Sequence, residues 1–192
     1  MAMMIHDRVG TDAKTDRIAP ASETAALRLE DFLPYRLNVV ASLVSQALSR
    51  IYAERYRIGV PEWRVLVTLG QYGVMTGKQI GAHSHMHKTK VSRAVAQLEA
   101  RQLLVRRTNR ADLRESLLSL TAAGRAIYED LAPSALDFAK RLLEVVDPAD
   151  RAAFDRALTL LSERSAALVA EAMANAQGDA GSSARRDDEE NT

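Results

Sequence analysis

Apolar residues recur every three or four positions along most of this chain, and that period breaks in one stretch, between Leu103 and Leu120. A helix shows one face every 3.6 residues and a strand every second residue, so the pattern specifies a helical protein interrupted by a hairpin. Leu33, Leu37, Val40, Val44, Ala47, Leu48 and Ile51 predict a long first helix within residues 29–58. Gly59 is expected to stop it, and Pro61 fits the first turn of a second helix running through Trp63, Val65, Leu66 and Leu69 to Gly70–Gly73. Thr76 and Gln79 form a capping-box pattern that opens a short third helix, Gly77 to His83. A fourth begins at His87 or Lys88, ends near Arg101 and carries Val91, Val95 and Leu98 on one face. Residues 103–107 and 116–120 predict two strands around a polar turn, Asn109 to Arg114. Thr121 caps a fifth helix with the stripe Ile127, Leu131, Phe138, Leu142 and Val145. Asp147-Pro148 opens a sixth, which bears Phe154, Leu158, Leu161 and Leu168 and is expected to end near Ala174.

Two short helices with a tight junction, followed by a hairpin, make a winged helix-turn-helix. The fold class is mainly α with a small β-hairpin wing. The flanking helices carry more apolar surface than one small core uses, which predicts pairing of subunits.

Charge is unevenly spread. Residues 60–125 carry 11 basic and 4 acidic side chains, whereas residues 126–192 carry 7 basic and 14 acidic, within a chain of net charge +1. A concentrated cationic block in a nearly neutral protein suits a polyanion, and nucleic acid is the commonest one. The absence of cysteine excludes disulfides, thiolate metal sites and a cysteine redox switch. No apolar run matches a signal peptide or a membrane span, so a cytoplasmic location without membrane contact is expected. No nucleophile with its base, metal set or cofactor motif is visible, so no enzymatic role and no cofactor are expected. The segment Gly73-Val74-Met75-Thr76-Gly77-Lys78-Gln79 fails as a phosphate loop. Its glycines stand one residue too close, Gln79 replaces the magnesium-binding hydroxyl, and no strand is predicted before it.

The fourth helix opposes its apolar face with Lys88, Thr89, Lys90, Ser92 and Arg93, all donors for phosphate oxygens or base edges. The N-terminal end of a helix entering the major groove needs this mixture. Lys78 on the third helix and His87 at the junction join the candidate DNA contacts, as do Arg110, Asp112 and Arg114 at the hairpin tip. A solvated basic helix face is the plainer alternative.

Taken together, Val91-Ser92-Arg93 with Leu98-Glu99, the Asp112-x-Arg114 pair and Leu120-Thr121-x-x-Gly124 resemble the MarR family of bacterial regulators over about residues 29–173. The resemblance implies a homodimer joined by its terminal helices, with two winged domains on a palindromic DNA operator. It implies release by a small-molecule effector, an aromatic acid or its coenzyme A thioester, in a transcriptional repressor. The domains then run as a flexible arm (1–28), a first helix for dimerisation and ligand binding (29–59), the DNA-binding unit (60–121), C-terminal dimerisation helices (122–174) and a disordered tail (175–192). The family's pocket would be lined here by Tyr35, Arg36, Asn38, Tyr52 and Trp63. Arg36 is the candidate partner of an anion, although a surface or inter-subunit ion pair is the alternative for it and core packing for Trp63. A DNA-binding architectural protein without a ligand is the alternative function.

One departure from the family is His83-Ser84-His85-Met86-His87, where a Leu-Gly turn is common. Alternate histidines suggest a metal-responsive regulator. Spacing of two scatters them over different helix faces, however, and no cysteine or nearby carboxylate completes a ligand set, so no metal site is assigned.

Overall fold

The structure is a computed structural model describing residues 27–110 and 112–189, with side chains described as far as residue 175. The expected N-terminal arm lies almost wholly outside the described residues. The chain divides into two compact units at Val44/Ser45.

The unit ending at Val44 contributes the first part of α1, Leu33–Tyr56. Leu33, Leu37, Val40 and Leu43 are exposed there, while Val44 is partly buried.

The second unit begins with the rest of α1 and continues through α2 (Val60–Tyr72), β1 (Met75–Thr76), α3 (Gly77–Ser84), α4 (Lys88–Ala100), β2 (Leu104–Thr108), β3 (Ser116–Leu120), α5 (Ala122–Leu142), a 3-10 turn (Leu143–Val145) and α6 (Arg151–Glu189). Its core gathers Tyr52 and Ile58 with the inner faces of α2 (Trp63, Val65, Leu66, Leu69), α4 (Val91, Ala94, Val95, Leu98) and the sheet (Leu104, Leu118). Burying apolar area at roughly 25 cal/mol per Å² is what holds these short elements together, since none is long enough to persist alone.

Gly59 does not stop α1. The chain turns at Arg57, whose φ of 49° lies in the left-handed region. Gly59 instead caps the start of α2, where its N–H donates to Glu62 Oε2 at 2.9 Å. α2 does end at a glycine, Gly73, with φ 81°. The third helix opens as its capping box predicts. Gln79 N–H donates to Thr76 Oγ1 at 3.3 Å, and Thr76 N–H to Gln79 Oε1 at 2.8 Å.

The hairpin is part of a three-stranded antiparallel sheet in the order β1-β3-β2. Arg106 stands opposite Leu118 and Arg107 opposite Leu117, while Thr76 pairs with Leu117 from the other side. The added strand β1 is only two residues long, too short to show a period.

Thr121 caps α5 by accepting from Gly124 N–H at 3.0 Å, and its hydroxyl donates to the Gln102 carbonyl at 2.8 Å. A side chain at Gly124 would run into the carbonyl of Leu103. The Leu-Thr-x-x-Gly sequence is thus a packing joint that sets the start of α5 against the turn preceding β2. α5 passes through Pro133 and closes at Leu142, so Val145 falls in the 3-10 turn rather than in the helix. Asp147 accepts from Ala149 N–H at 2.8 Å and caps a single turn, after which α6 proper starts at Arg151. α6 then continues beyond the expected end near Ala174, reaching Glu189 where a disordered tail was expected. No proline interrupts this stretch, and its alanines and arginines offset the cost of Gly178 and Gly181 in an extending helix.

Candidate nucleic-acid interface

α4 is held from below by four buried residues, Val91, Ala94, Val95 and Leu98. The opposite side is therefore obliged to face solvent, and Lys88, Thr89, Lys90, Ser92 and Arg93 are all exposed there. His87 caps the helix. Its backbone is extended (φ −63°, ψ 146°) and its Nδ1 accepts from Thr89 N–H at 3.4 Å, a long bond. Just before it, His85 takes the left-handed conformation (φ 50°) that ends α3, so a histidine makes the tight turn that glycine would make more easily.

The three junction histidines part company in space. His83 lies against the ring of Tyr72 at 4.4 Å, His85 closes α3 and His87 opens α4. Among the described residues no cluster of three or more His, Asp or Glu side chains is placed to hold a metal ion.

A groove of about 830 Å³ runs between α3, α4 and the hairpin. Lys78, His87, Lys88, Ser92, Asp112 and Arg114 all line it. Six candidates separated by up to 36 sequence positions (78 to 114) thus share one concavity. Thr89, Lys90, Arg93 and Arg110 are exposed but do not line it.

At the hairpin tip Arg114 and Asp112 form a two-pronged pair, Nε to Oδ1 at 3.0 Å and Nη2 to Oδ2 at 3.2 Å. Arg114 N–H adds a third bond to Oδ1 at 3.0 Å. The side-chain bond from Arg114, followed by the backbone one, holds the Asp112 carboxyl below its ordinary value, and the carboxylate in turn raises Arg114. The arginine side chain remains 90% exposed, so its direction is fixed while its outer edge stays open to a ligand.

Sequence reasoning missed Arg106, which also lines the groove and reaches Glu99 of α4 at 3.4 Å. The signal was available. Arg106 lies two residues after buried Leu104, on the same face of β2, at the point where that face leaves the core.

The other candidate set, for a small molecule, divides. Tyr35, Arg36 and Asn38 lie in the unit ending at Val44 and are exposed. Tyr52 and Trp63 are buried in the core of the second unit and stacked on each other, 5.1 Å between centroids and 14° between planes.

Among the described residues no helix is long and apolar enough to cross a membrane.

Comparison with known proteins agrees with this geometry. The MarR family model matches residues 58–116, from the end of α1 to the start of β3. An uncharacterized HTH-type transcriptional regulator of Bacillus subtilis, YwoH, is 29% identical over 122 residues, covering 64% of this chain and 88% of the relative. A MarR family transcriptional regulator from Silicibacter pomeroyi superposes with a TM-score of 0.60 at 28% identity, over 71% of this chain and 91% of that one. BpsR of Bordetella bronchiseptica, whose DNA binding is regulated by 6-hydroxynicotinic acid, shares the fold (TM-score 0.56, 23% identity, 66% of this chain and 98% of that one). These relatives are regulators rather than enzymes, and the segment that carries the basic helix α4 and the first strand of the wing, residues 58–116, is a MarR family domain of the kind found in DNA-binding transcriptional regulators.

Proposed function

We propose that the protein is a cytoplasmic repressor that binds a palindromic operator as a homodimer and releases it when a small aromatic acid, or its thioester, binds. The observation that carries the DNA half of this reading is the Asp112–Arg114 pair beside the basic first turn of α4. Lys88, Thr89, Lys90, Ser92 and Arg93 meet major-groove edges and phosphates, with Lys78 and His87 at the flank. Arg114 enters the adjacent minor groove, where negative potential attracts arginine, and Arg110 meets phosphate. An arginine already aimed by a carboxylate loses less side-chain entropy on insertion.

Dimerisation is supported by the bare apolar positions of α6, where Phe154, Leu158 and Leu161 are exposed in a single chain. The effector class is supported by one neighbour's regulation by 6-hydroxynicotinic acid and by the exposed Tyr35, Arg36 and Asn38, which offer a cation with an aromatic ring and an amide nearby in sequence. Ligand binding must favour a dimer whose two α4 helices no longer match half-sites about 34 Å apart.

The test begins with operator selected from random DNA by the protein itself. Titrating 6-hydroxynicotinate and related aromatic acids with and without that operator should give weaker acid binding in its presence, because coupling is reciprocal. Equal acid affinities in both titrations would remove the release mechanism, and an operator lacking two-fold symmetry would remove the dimer. Arg36→Ala should lose the response to the acid while keeping operator affinity.

A further inference from the structure

The carbonyls that end α1 have no partners within their own helix, as at every helix C-terminus. Two of them, those of Tyr56 and Arg57, accept hydrogen bonds from the guanidinium of Arg101, at 2.7 Å from Nη2 and 3.2 Å from Nη1. Arg101 is itself the residue that closes α4. The following residue, Gln102, sits at φ 56°, so α4 ends in a fixed left-handed turn immediately behind the guanidinium. The last turn of α1 is tied a second time, to α5. Tyr56 OH donates to Asp130 Oδ2 at 2.7 Å, and Arg55 Nη1 stands 2.7 Å from the same oxygen. The bond to Asp130 raises the Tyr56 phenol above its ordinary range, so it stays a donor.

We propose that Arg101 is a positioning residue for DNA reading: it ties the C-terminal end of α4 to an anchored turn of α1 and thereby fixes the pitch at which the first turn of α4 meets base edges. The inference rests on α4 being the helix that reads DNA. The buried face of α4 sets its roll, but a rod packed on one side still pivots about its middle. At 1.5 Å per residue α4 is about 20 Å long, so a ~10° pivot moves its first turn by ~1.7 Å. Hydrogen bonds to bases work only within a window of about 0.5 Å. A guanidinium bridging two carbonyls at the far end of the rod resists such a pivot, whereas the single ammonium of lysine does not reproduce a planar fork.

Arg101→Lys separates this role from the two others an exposed arginine could have. If Arg101 positions α4, the lysine variant melts near wild type. It loses about tenfold in affinity for the selected operator, the size of one lost base contact, while its affinity for random DNA is unchanged. Tyr56→Phe, which removes the phenol's bond to Asp130 and leaves that of Arg55, should lose part of the same discrimination. The double variant should be no worse than Arg101→Lys alone, because both ties act through one turn. Wild-type discrimination by Arg101→Lys overturns the proposal. So does an equal loss on operator and random DNA with a salt slope shallower by about 1, which is the mark of a phosphate contact. Should Arg101→Lys fail to fold, unchanged discrimination by Tyr56→Phe overturns it as well. Failure of the wild-type protein to enrich any sequence from random DNA would instead remove the reading of α4 itself.

Discussion

α4 and α6 are both amphipathic on paper, and they meet opposite fates in the folded chain. α4 is only 13 residues long, yet four of them are buried and its solvent side is basic. α6 spans 39 residues, and every one between Arg151 and Asn175 is exposed, including Phe154, Leu158, Leu161 and Leu168. The difference teaches where the fold is self-sufficient. The block around α4 completes its own core, whereas the stripe on α6 is left uncovered by the described residues of its own chain. An apolar stripe of that length is costly in water, and the proposed homodimer would cover it with a second copy of the chain.

The largest effect should come from removing α6. Deleting the chain from Asp147 onward should give aggregated or unfolded protein, because the exposed apolar side chains of α5 would lack the partner surface that the proposed dimer supplies. A soluble, folded monomer in sedimentation would break the contrast between the two helices outright.

Next in size are paired truncations in the two helices. Leu98→Ala in α4 should cost about 2–5 kcal/mol, as for other fully buried leucines, and the loss should not depend on protein concentration. Leu161→Ala in α6 should lower the melting temperature mainly at low concentration, because it weakens association. Melts over a hundredfold dilution series distinguish them, and parallel behaviour would mean that α6 packs within its own subunit.

Gly124→Ala sharpens the boundary between the regions. Its methyl group would meet the Leu103 carbonyl, so the start of α5 must shift, at a cost of about 1–3 kcal/mol in denaturant titrations. A neutral substitution would show that the joint between α5 and the sheet is loose.

The wing should show its effect in affinity. Asp112→Asn should weaken operator binding severalfold, although it removes a negative charge near DNA, because Arg114 loses its orientation. The sign with pH follows from the lowered Asp112 carboxyl. Orientation by the charged form is present above its ordinary value of 3.8 and is lost only as pH falls through the lowered one. Wild type and Asp112→Asn should therefore differ by a constant factor between pH 5 and 8. Tighter binding by the variant, or a gap that changes across that range, would contradict the orienting role.

Much of the self-sufficient region was legible in the sequence. The capping pair Thr76 and Gln79, the cap at Thr121 and the break in helical spacing each mark a boundary that the structure keeps within a residue or two. What stayed hidden has physical reasons. Arg57, His85 and Gln102 end three helices in the left-handed region, where sequence reading looks for glycine. Gly59 then seemed to close one helix when it opens the next. The strand β1 has too few residues for a period. Of the candidate site, the residues of the first turn of α4 and of the hairpin tip were visible because local sequence makes both. Arg101 acts through contacts with a distant segment, which no local pattern encodes, whereas Arg106 was marked by its place two residues after Leu104 on one face of β2.

The smallest effect belongs to one of those left-handed residues. Gln102→Gly should stabilise the protein by up to about 1 kcal/mol, since relief of the left-handed strain slightly exceeds the extra entropy of glycine in the unfolded chain. A loss of stability would mean that the Gln102 side chain contributes more than its backbone costs.

Thr76 belongs to two structures at once. It pairs with Leu117 in the sheet and caps α3 with its hydroxyl. The segment between Gly73 and Gly77 consequently has no slack, because a shift of one position would unpair the strand and uncap the helix together. The connection from β2 to β3 lies outside the strand pairing, and its fixed feature is the Asp112–Arg114 pair. Gain or loss of single codons during evolution should therefore accumulate in the second stretch and be purged from the first. Wings of different length could then arise on an unchanged frame, each reaching a different distance along the DNA.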